Sequence, residues 1–427
     1  MPSVFTRYQK FVIAVLAFLQ FTIILDFMII GPLGALLLRD MHITTRQFGL
    51  VVSAYAFSAG TSGLLAAGFA DKFDRKKLLL FFYCGFLLGT LLCGVAGSYG
   101  FLLGARIVTG VFGGVIGSIS MAIIADLFPL QVRGRVMGTV QTAFAASQVM
   151  GIPLGVFLSN RWGWHAPFLM IFVVSAAVGV VIALRLEPIV EHLKVPARGK
   201  PGNPFQHLVT TVSQGRYLRT FAATMLLATG GFMLMPFGST FTVNNLGISL
   251  QKLPWVYMIT GAVTFVAGPL LGKLSDTIGK YQVFCIGSVG GAAIVGVYCH
   301  LGTTPLSMVI AINAVLFVAV TCRMISASAL ISAVPDMQDR GAFMSVNSSL
   351  QQFSGGVASS LAGLIVVQAP DGRLLHYDLL GYVVMGAMTL VVALMYPIHR
   401  AVMRKMAAAA AAAAEGEAAK PMAAAAS

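Results

Sequence analysis

The chain has 427 residues, of which 58% are hydrophobic and only 10% charged, with a mean hydropathy of +0.87. A composition this apolar excludes a water-soluble globular domain and places the chain in a bilayer. The net charge of +14 would point to nucleic acid in a soluble protein, but loop asymmetry explains it more simply in a membrane protein, so no nucleic-acid partner is called for.

Windows of about 20 apolar residues give twelve candidate transmembrane helices. Six begin near Phe11, Gln47, Leu78, Tyr99, Val136 and His165, and six near Leu218, Lys252, Gln282, Pro305, Gly341 and Asp378. The first apolar run follows Arg7 and Lys10 and continues to Leu38, too long for a cleavable signal, so it reads as a retained helix. Lys and Arg crowd alternate loops: Arg7, Lys10, Lys72, Arg75, Lys76, Lys77, Arg133 and Arg135 lie on one side, while the other side has only Arg39, Arg46, Arg161, Lys252 and Arg373. By the positive-inside rule both termini are cytoplasmic, in a multi-pass protein of the plasma (inner) membrane.

The longest polar segment, Glu187 to Gln214, contains four prolines and follows the sixth helix. It divides the chain into an N-terminal six-helix bundle (1–186), a cytoplasmic linker (187–217), a C-terminal six-helix bundle (218–400) and an alanine-rich, low-complexity tail (401–427). The halves repeat. Asp71 in "AGFADKFDRK" is matched by Asp276 in "GKLSDTIGKY", and "QVRGRVM" from Gln131 by "QDRGAFM" from Gln338, at offsets of 205 and 207 residues. The expected fold is therefore all-α, with twelve transmembrane helices in two similar bundles.

The stretch Ala67 to Lys77 holds six charged residues after the second helix. It resembles the G-x-L-A-D-R-x-G-R-K loop of the major facilitator superfamily, with Ala67 and Asp74 in place of two glycines, and Gly272 to Lys280 is a shorter echo. "LGARIVTG" (Leu103 to Gly110) resembles that family's fourth-helix element and is followed by Gly113, Gly114 and Gly117 for close helix approach. "GIPLG" (Gly151 to Gly155) and "GWHAPF" (Gly163 to Phe168) resemble the pattern of its drug and sugar efflux branch, with Pro153 expected to kink the fifth helix. The resemblance implies the major facilitator fold and alternating access, with proton-coupled efflux (antiport) of a small organic molecule as the first reading. Uptake by symport and passive facilitation of a sugar or organic anion are the alternatives. The implied partners are a small-molecule substrate, protons and the lipid bilayer, and the protein is expected to be monomeric.

An acid at a helix end beside a basic loop can bond the free N–H groups of a neighbouring helix and pair with Arg or Lys. Asp71, Arg75, Asp126 and Arg133, with Asp276 and Arg340 in the second half, are the expected conformational latch. Lys76 and Lys77 read as topology signals only. Asp26 lies about 24 Å of helical rise beyond Lys10, and Arg106 about 10 Å into the fourth helix from its outer end, so the two fall at similar depth. Both helices line the central cavity in the resembled fold, so Asp26 and Arg106 are the candidates for proton coupling, against the alternative of a fixed ion pair that fastens two helices. Arg323, near the midplane of the tenth helix, has no acid partner evident in the sequence. One acid against two arginines disfavours a cationic substrate and favours a neutral or anionic one.

Arg323, Gln20, Phe27, Tyr55, Phe232, Met235 and Asn313 are the expected substrate contacts. For each polar member interhelical hydrogen bonding is the competing role, and for Phe and Met plain packing. Gly230, Gly231 and Pro236 are expected to interrupt the seventh helix as a gate. A membrane enzyme is the rival class, but the seven histidines are scattered and the five cysteines (Cys84, Cys93, Cys285, Cys299, Cys322) show no metal-ligand spacing. The glycine-rich "GVFGGVIG" lacks the Lys-Ser/Thr ending of a nucleotide loop. No catalytic residue, metal or cofactor is called for.

Overall fold

The computed structural model describes residues 5–66, 73–190, 213–335 and 339–424. The first half opens with α1 (Arg7–Ile29) and α2 (Gly34–Asp40), two pieces of one crossing, followed by α3 (Thr45–Ala66), α4 (Arg75–Gly94) and α5 (Tyr99–Leu127). The fifth crossing is α6 (Leu130–Ala146), a π-turn (Ser147–Gly151) and α7 (Ile152–Trp162), and the sixth is α8 (Ala166–Arg185). The second half repeats this order. α9 (Gly215–Leu234) and α10 (Gly238–Asn244) form another broken crossing, followed by α11 (Leu253–Ile278), α12 (Lys280–Cys299), α13 (Leu306–Ala333) and α14 (Arg340–Ile365). A small antiparallel hairpin, β1 (Val367–Gln368) and β2 (Leu374–Leu375), leads into α15 (Tyr377–Ala424).

Local chemistry fixes the helix starts. Thr6 and Gln9 form a capping box at α1, Ser98 caps α5, and the Asp74 carboxylate accepts from the Lys76 N–H at the start of α4.

The twelve expected crossings are present, with corrections of detail in the fifth and seventh; among the described residues eleven of them are long and apolar enough by themselves to span a membrane. α14 is long enough at 26 residues, but it carries Asn347, Gln351, Gln352 and several serines. It lies against α3 and α9, where Asn347 accepts from Thr224 Oγ1 (2.6 Å), so protein rather than lipid answers its polar groups. In the seventh crossing Gly230 and Gly231 stay inside α9, and the interruption falls at Met235–Phe237, around Pro236, which cannot donate the helical hydrogen bond. In the fifth crossing the irregularity precedes Pro153 as the π-turn, and Pro153 sits in the first turn of α7. The last helix runs on through the alanine run to Ala424, in keeping with alanine's helix propensity.

The buried apolar residues form three clusters whose arrangement shows how the halves meet. At the end away from the chain termini, one cluster is shared: Leu25, Ile29, Phe48 and Phe168 pack with Phe237, Phe241, Tyr298 and Val366. Toward the terminal end the clusters are separate, one built from first-half residues such as Leu16, Phe86 and Ile123, the other from second-half residues such as Tyr217, Phe221 and Phe343. The halves are thus sealed together at the far end.

Hydrogen bonds reinforce that seal among the described residues. Thr45 Oγ1 donates to the Val366 carbonyl (2.6 Å), Ser53 Oγ to Gly356 (2.8 Å), Ser239 Oγ to Gly31 (2.7 Å), and Asn160 Nδ2 to Leu250 (2.7 Å). The α3–α14 seam depends on Gly49 and Gly363, where a Cβ would fall 2.7 Å from the Ser359 oxygen and 2.8 Å from the Thr45 oxygen respectively. Gly363→Leu should therefore force the far end open. A cysteine at Ser53, 1% exposed in the seam, should then react with an impermeant maleimide added from that side. Ser53→Cys that stays unreactive in the Gly363→Leu background would show that the seam is not the closure.

Candidate functional site

Asp26 and Arg106 meet in the interior of the first half. Arg106 Nη1 lies 2.9 Å from Asp26 Oδ2 and also donates to the Asp26 carbonyl at 3.3 Å. Both side chains are fully buried. Thr90 on α4 donates its hydroxyl to Asp26 Oδ1 at 3.1 Å, and the Arg106 guanidinium stands 4.6 Å from the centre of the Tyr55 ring on α3. Four helices thus converge on one charge pair. Gly110 and Gly114 make the convergence possible. A Cβ at either would fall 2.5 Å from a backbone oxygen of α3, so only glycine lets α5 approach closely enough to lay Arg106 over Tyr55.

The pair is not sealed into a purely local network. Arg106 Nε and Nη2 are buried without a hydrogen-bond partner, which leaves donor capacity unspent. Phe27, the residue after Asp26, packs against Tyr55 (5.0 Å between centroids) and against Phe232 of the second half (5.7 Å). Four residues beyond, a Cβ on Gly31 would lie 2.8 Å from the Met235 carbonyl oxygen, so the broken crossings α1–α2 and α9–α10 touch directly. The expected depth match of Asp26 and Arg106 is realised, but within the first bundle rather than on an open cavity wall.

The sequence profile of the Major Facilitator Superfamily matches residues 16–359, with a second match over residues 220–421. The chain belongs to the major facilitator superfamily. It is 26% identical over 269 residues to YceJ, an MFS-type transporter of Bacillus subtilis (strain 168), a match covering 63% of this chain and 67% of that protein. It is 24% identical over 290 residues to Multidrug resistance protein 2 of the same organism, covering 67% and 72%. Among solved structures it resembles a bacterial homologue of the human lysosomal transporter Spinster in an inward-facing, occupied conformation, with a TM-score of 0.70 and 15% identity over 93% of this chain and 97% of that one. The nucleoside transporter NupG superposes with a TM-score of 0.68 at 13% identity, over 90% and 98%. At these identities the solved structures show the fold alone. The protein is a multi-pass membrane transporter built for alternating access.

The remaining expected site residues of this superfamily member fall into separate groups. Phe27, Tyr55, Phe232 and Met235 gather where the halves touch. Gln20 lies apart, with its oxygen 3.8 Å from the Cβ position of Gly117. Asn313 is buried and donates to the Val309 carbonyl of its own helix (3.0 Å), the ordinary structural role. Arg323, 2% exposed, donates from Nε to Ser288 Oγ on α12 (3.1 Å) and sits 6.0 Å from the Phe284 ring. The seven expected contacts therefore do not form one pocket.

At the terminal end, Arg75 Nε pairs with Asp126 Oδ2 at 3.1 Å, with the arginine side chain 6% exposed. Arg133, expected to join that pair, instead caps the end of α5 by donating to the Phe128 carbonyl (2.8 Å) and to the Ala125 carbonyl. Asp74 also accepts from the Ile189 N–H, so the segment after α8 straps the start of α4. Asp71 lies outside the described residues, and the Arg340 side chain is likewise not described. Among the described residues Asp276 pairs only with Lys280 one turn along its helix (3.1 Å), a solvated pair of small energetic weight. Replacing Asp126 by Asn should slow turnover more than it weakens substrate binding. Unchanged turnover would remove the Arg75–Asp126 pair from the conformational cycle.

Sequence reasoning missed Thr90 and Ser288. Each is one hydroxyl in an apolar helix, with no spacing signal to separate it from its neighbours.

Proposed function

We propose that the protein exports a small organic molecule, neutral or anionic, in exchange for protons, as a monomer in the cytoplasmic membrane with both termini inside the cell. The observation that carries this reading is the position of Asp26. Its carboxylate is fully buried, bonded to Arg106 and Thr90, and one residue from the Phe27–Phe232 contact between halves. A proton arriving on Asp26 removes the charge that holds Arg106, whose Nε and Nη2 are free to take new partners. Because Tyr55 touches both Arg106 and Phe27, a shift of the guanidinium reaches the contact between halves through two ring contacts. A membrane potential of about 100 mV supplies about 2.3 kcal/mol per charge moved, enough for roughly fifty-fold accumulation under tight coupling.

Two further observations support the direction and polarity. The drug-resistance name of one relative favours efflux. The basic residues Arg75, Lys76, Arg133 and Lys405 lie at the terminal end, the arrangement expected of a cytoplasmic face. Purified protein in liposomes, given an outward-directed proton gradient (acid interior) and a panel of labelled organic solutes, tests the reading. Gradient-driven accumulation of at least one neutral or anionic solute is expected. Equilibration that ignores the proton gradient would make the protein a passive carrier.

A further inference from the structure

The two halves treat their buried arginines differently. In the first half Arg106 is answered by the Asp26 carboxylate, with Thr90 and Tyr55 completing the shell. In the second half Arg323 is answered by one hydroxyl, Ser288, and by the edge of Phe284's reach at 6.0 Å. Its Nη2 is buried without a hydrogen-bond partner, and among the described residues no carboxylate lies within ion-pair distance. The broken crossings show where the missing acid would stand. Asp26 lies four residues before the break that starts at Ile30, and Gly231 lies four residues before the one at Met235, with Gly230 beside it. A glycine pair thus occupies the place of the acid, while the counterpart of Arg106 at the offset of 207 is Asn313, and Arg323, ten residues further along α13, reaches the glycine pair from another level.

A side chain at that place would meet no clash. A Cβ built on Gly230 would have Arg323 Nη1 as its nearest heavy atom at 3.7 Å, then Met388 Cγ at 3.8 Å, and one built on Gly231 would meet nothing within 4 Å. A carboxylate extending from that position would reach the guanidinium without displacing backbone. A desolvated guanidinium with donors unspent is costly in an apolar helix bundle, and a planar fork of donors is matched best by a carboxylate.

We propose that Arg323, Ser288 and the gap left by Gly230 form an anion subsite that takes the carboxylate of a transported organic monoanion, the solute supplying the acid that Asp26 supplies in the first half. The proposal rests on the transport reading, and narrows its substrate class. Arg323 Nη2 and Nη1 would donate to the carboxylate, Ser288 would hold the guanidinium in place through Nε, and Gly230 would leave room for the ligand.

Thermal unfolding of the purified full chain in detergent, with sodium benzoate, sodium acetate or neutral benzamide added, tests this directly. A ligand that binds the folded state raises its melting temperature in a saturable way. Benzoate and acetate should stabilise the wild type and benzamide should not. Arg323→Met should abolish the benzoate shift, and Arg323→Lys, which keeps the charge but loses the fork, should weaken apparent affinity about tenfold or more. Gly230→Asp should abolish the shift while raising the melting temperature of the ligand-free protein, and Gly230→Asn, which fills the same gap without the charge, should weaken the shift without that rise. If Gly230→Asp does not fold, the comparison of Arg323→Met with Arg323→Lys decides. No benzoate or acetate shift in the wild type, or a shift unchanged by Arg323→Met, would overturn the proposal. Because the readout is binding without a gradient, loss of proton-driven transport with anion binding intact would count against the coupling reading alone.

Discussion

Asp26→Asn should reduce accumulation driven by a pH gradient to background while exchange of solute down its own gradient survives. The substitution preserves size and leaves an oxygen to accept from Thr90, so the local packing at α1, α4 and α5 is retained. What it removes is the carboxylate that Thr90 and Arg106 hold at the meeting point of the helices. Counterflow of labelled solute in the same vesicles, with no gradient imposed, measures the surviving exchange. Full gradient-driven accumulation by Asp26→Asn would assign the proton step elsewhere.

The second large effect concerns stability. Arg106→Met leaves the Asp26 carboxylate buried without its counter-charge, and removal of one partner from a buried pair costs about 3–5 kcal/mol. The loss of the Tyr55 contact adds to this. The double variant Asp26→Asn/Arg106→Met should recover most of the loss, because it leaves no orphaned charge in an otherwise apolar site. Denaturation of the two variants in detergent reads the difference. Equal stability of the single and double variants would mean that the pair is not the electrostatic fastening its geometry describes.

Much of the architecture was legible in the sequence because a bilayer makes hydrophobicity nearly a ruler. Each apolar stretch of about 20 residues became a helix, and the matched motifs at Asp71 and Asp276 announced the repeat. Depth was legible too, since rise per residue is fixed, and it brought Asp26 and Arg106 to one level. Rotation about the helix axis was not. Nothing in "AINAVLFVAVTCRMIS" tells that Asn313 bonds its own helix while Arg323 turns to Ser288, because that depends on how α13 packs against α12. The polar α14 is legible as a crossing from its apolar window, and its serines and glutamines make sense only once α3 and α9 are seen to cover them. Of Gly230, Gly231 and Pro236, only Pro236 lies in the break at Met235–Phe237, since a glycine pair permits a break whereas Pro236 enforces one.

In the proposed cycle the charge state of Asp26 governs whether the far end of the two halves is closed. Spin labels at Arg39 and Asp371, exposed residues at that end on opposite halves, introduced by Arg39→Cys and Asp371→Cys in a chain whose five native cysteines are replaced, report it as an inter-label distance. Double electron–electron resonance in lipid nanodiscs across a pH series should show two distance populations in the otherwise wild-type protein, exchanging weight as pH changes. Asp26→Asn should hold one population at every pH. A distance distribution in Asp26→Asn that shifts with pH as the parent does would contradict the account.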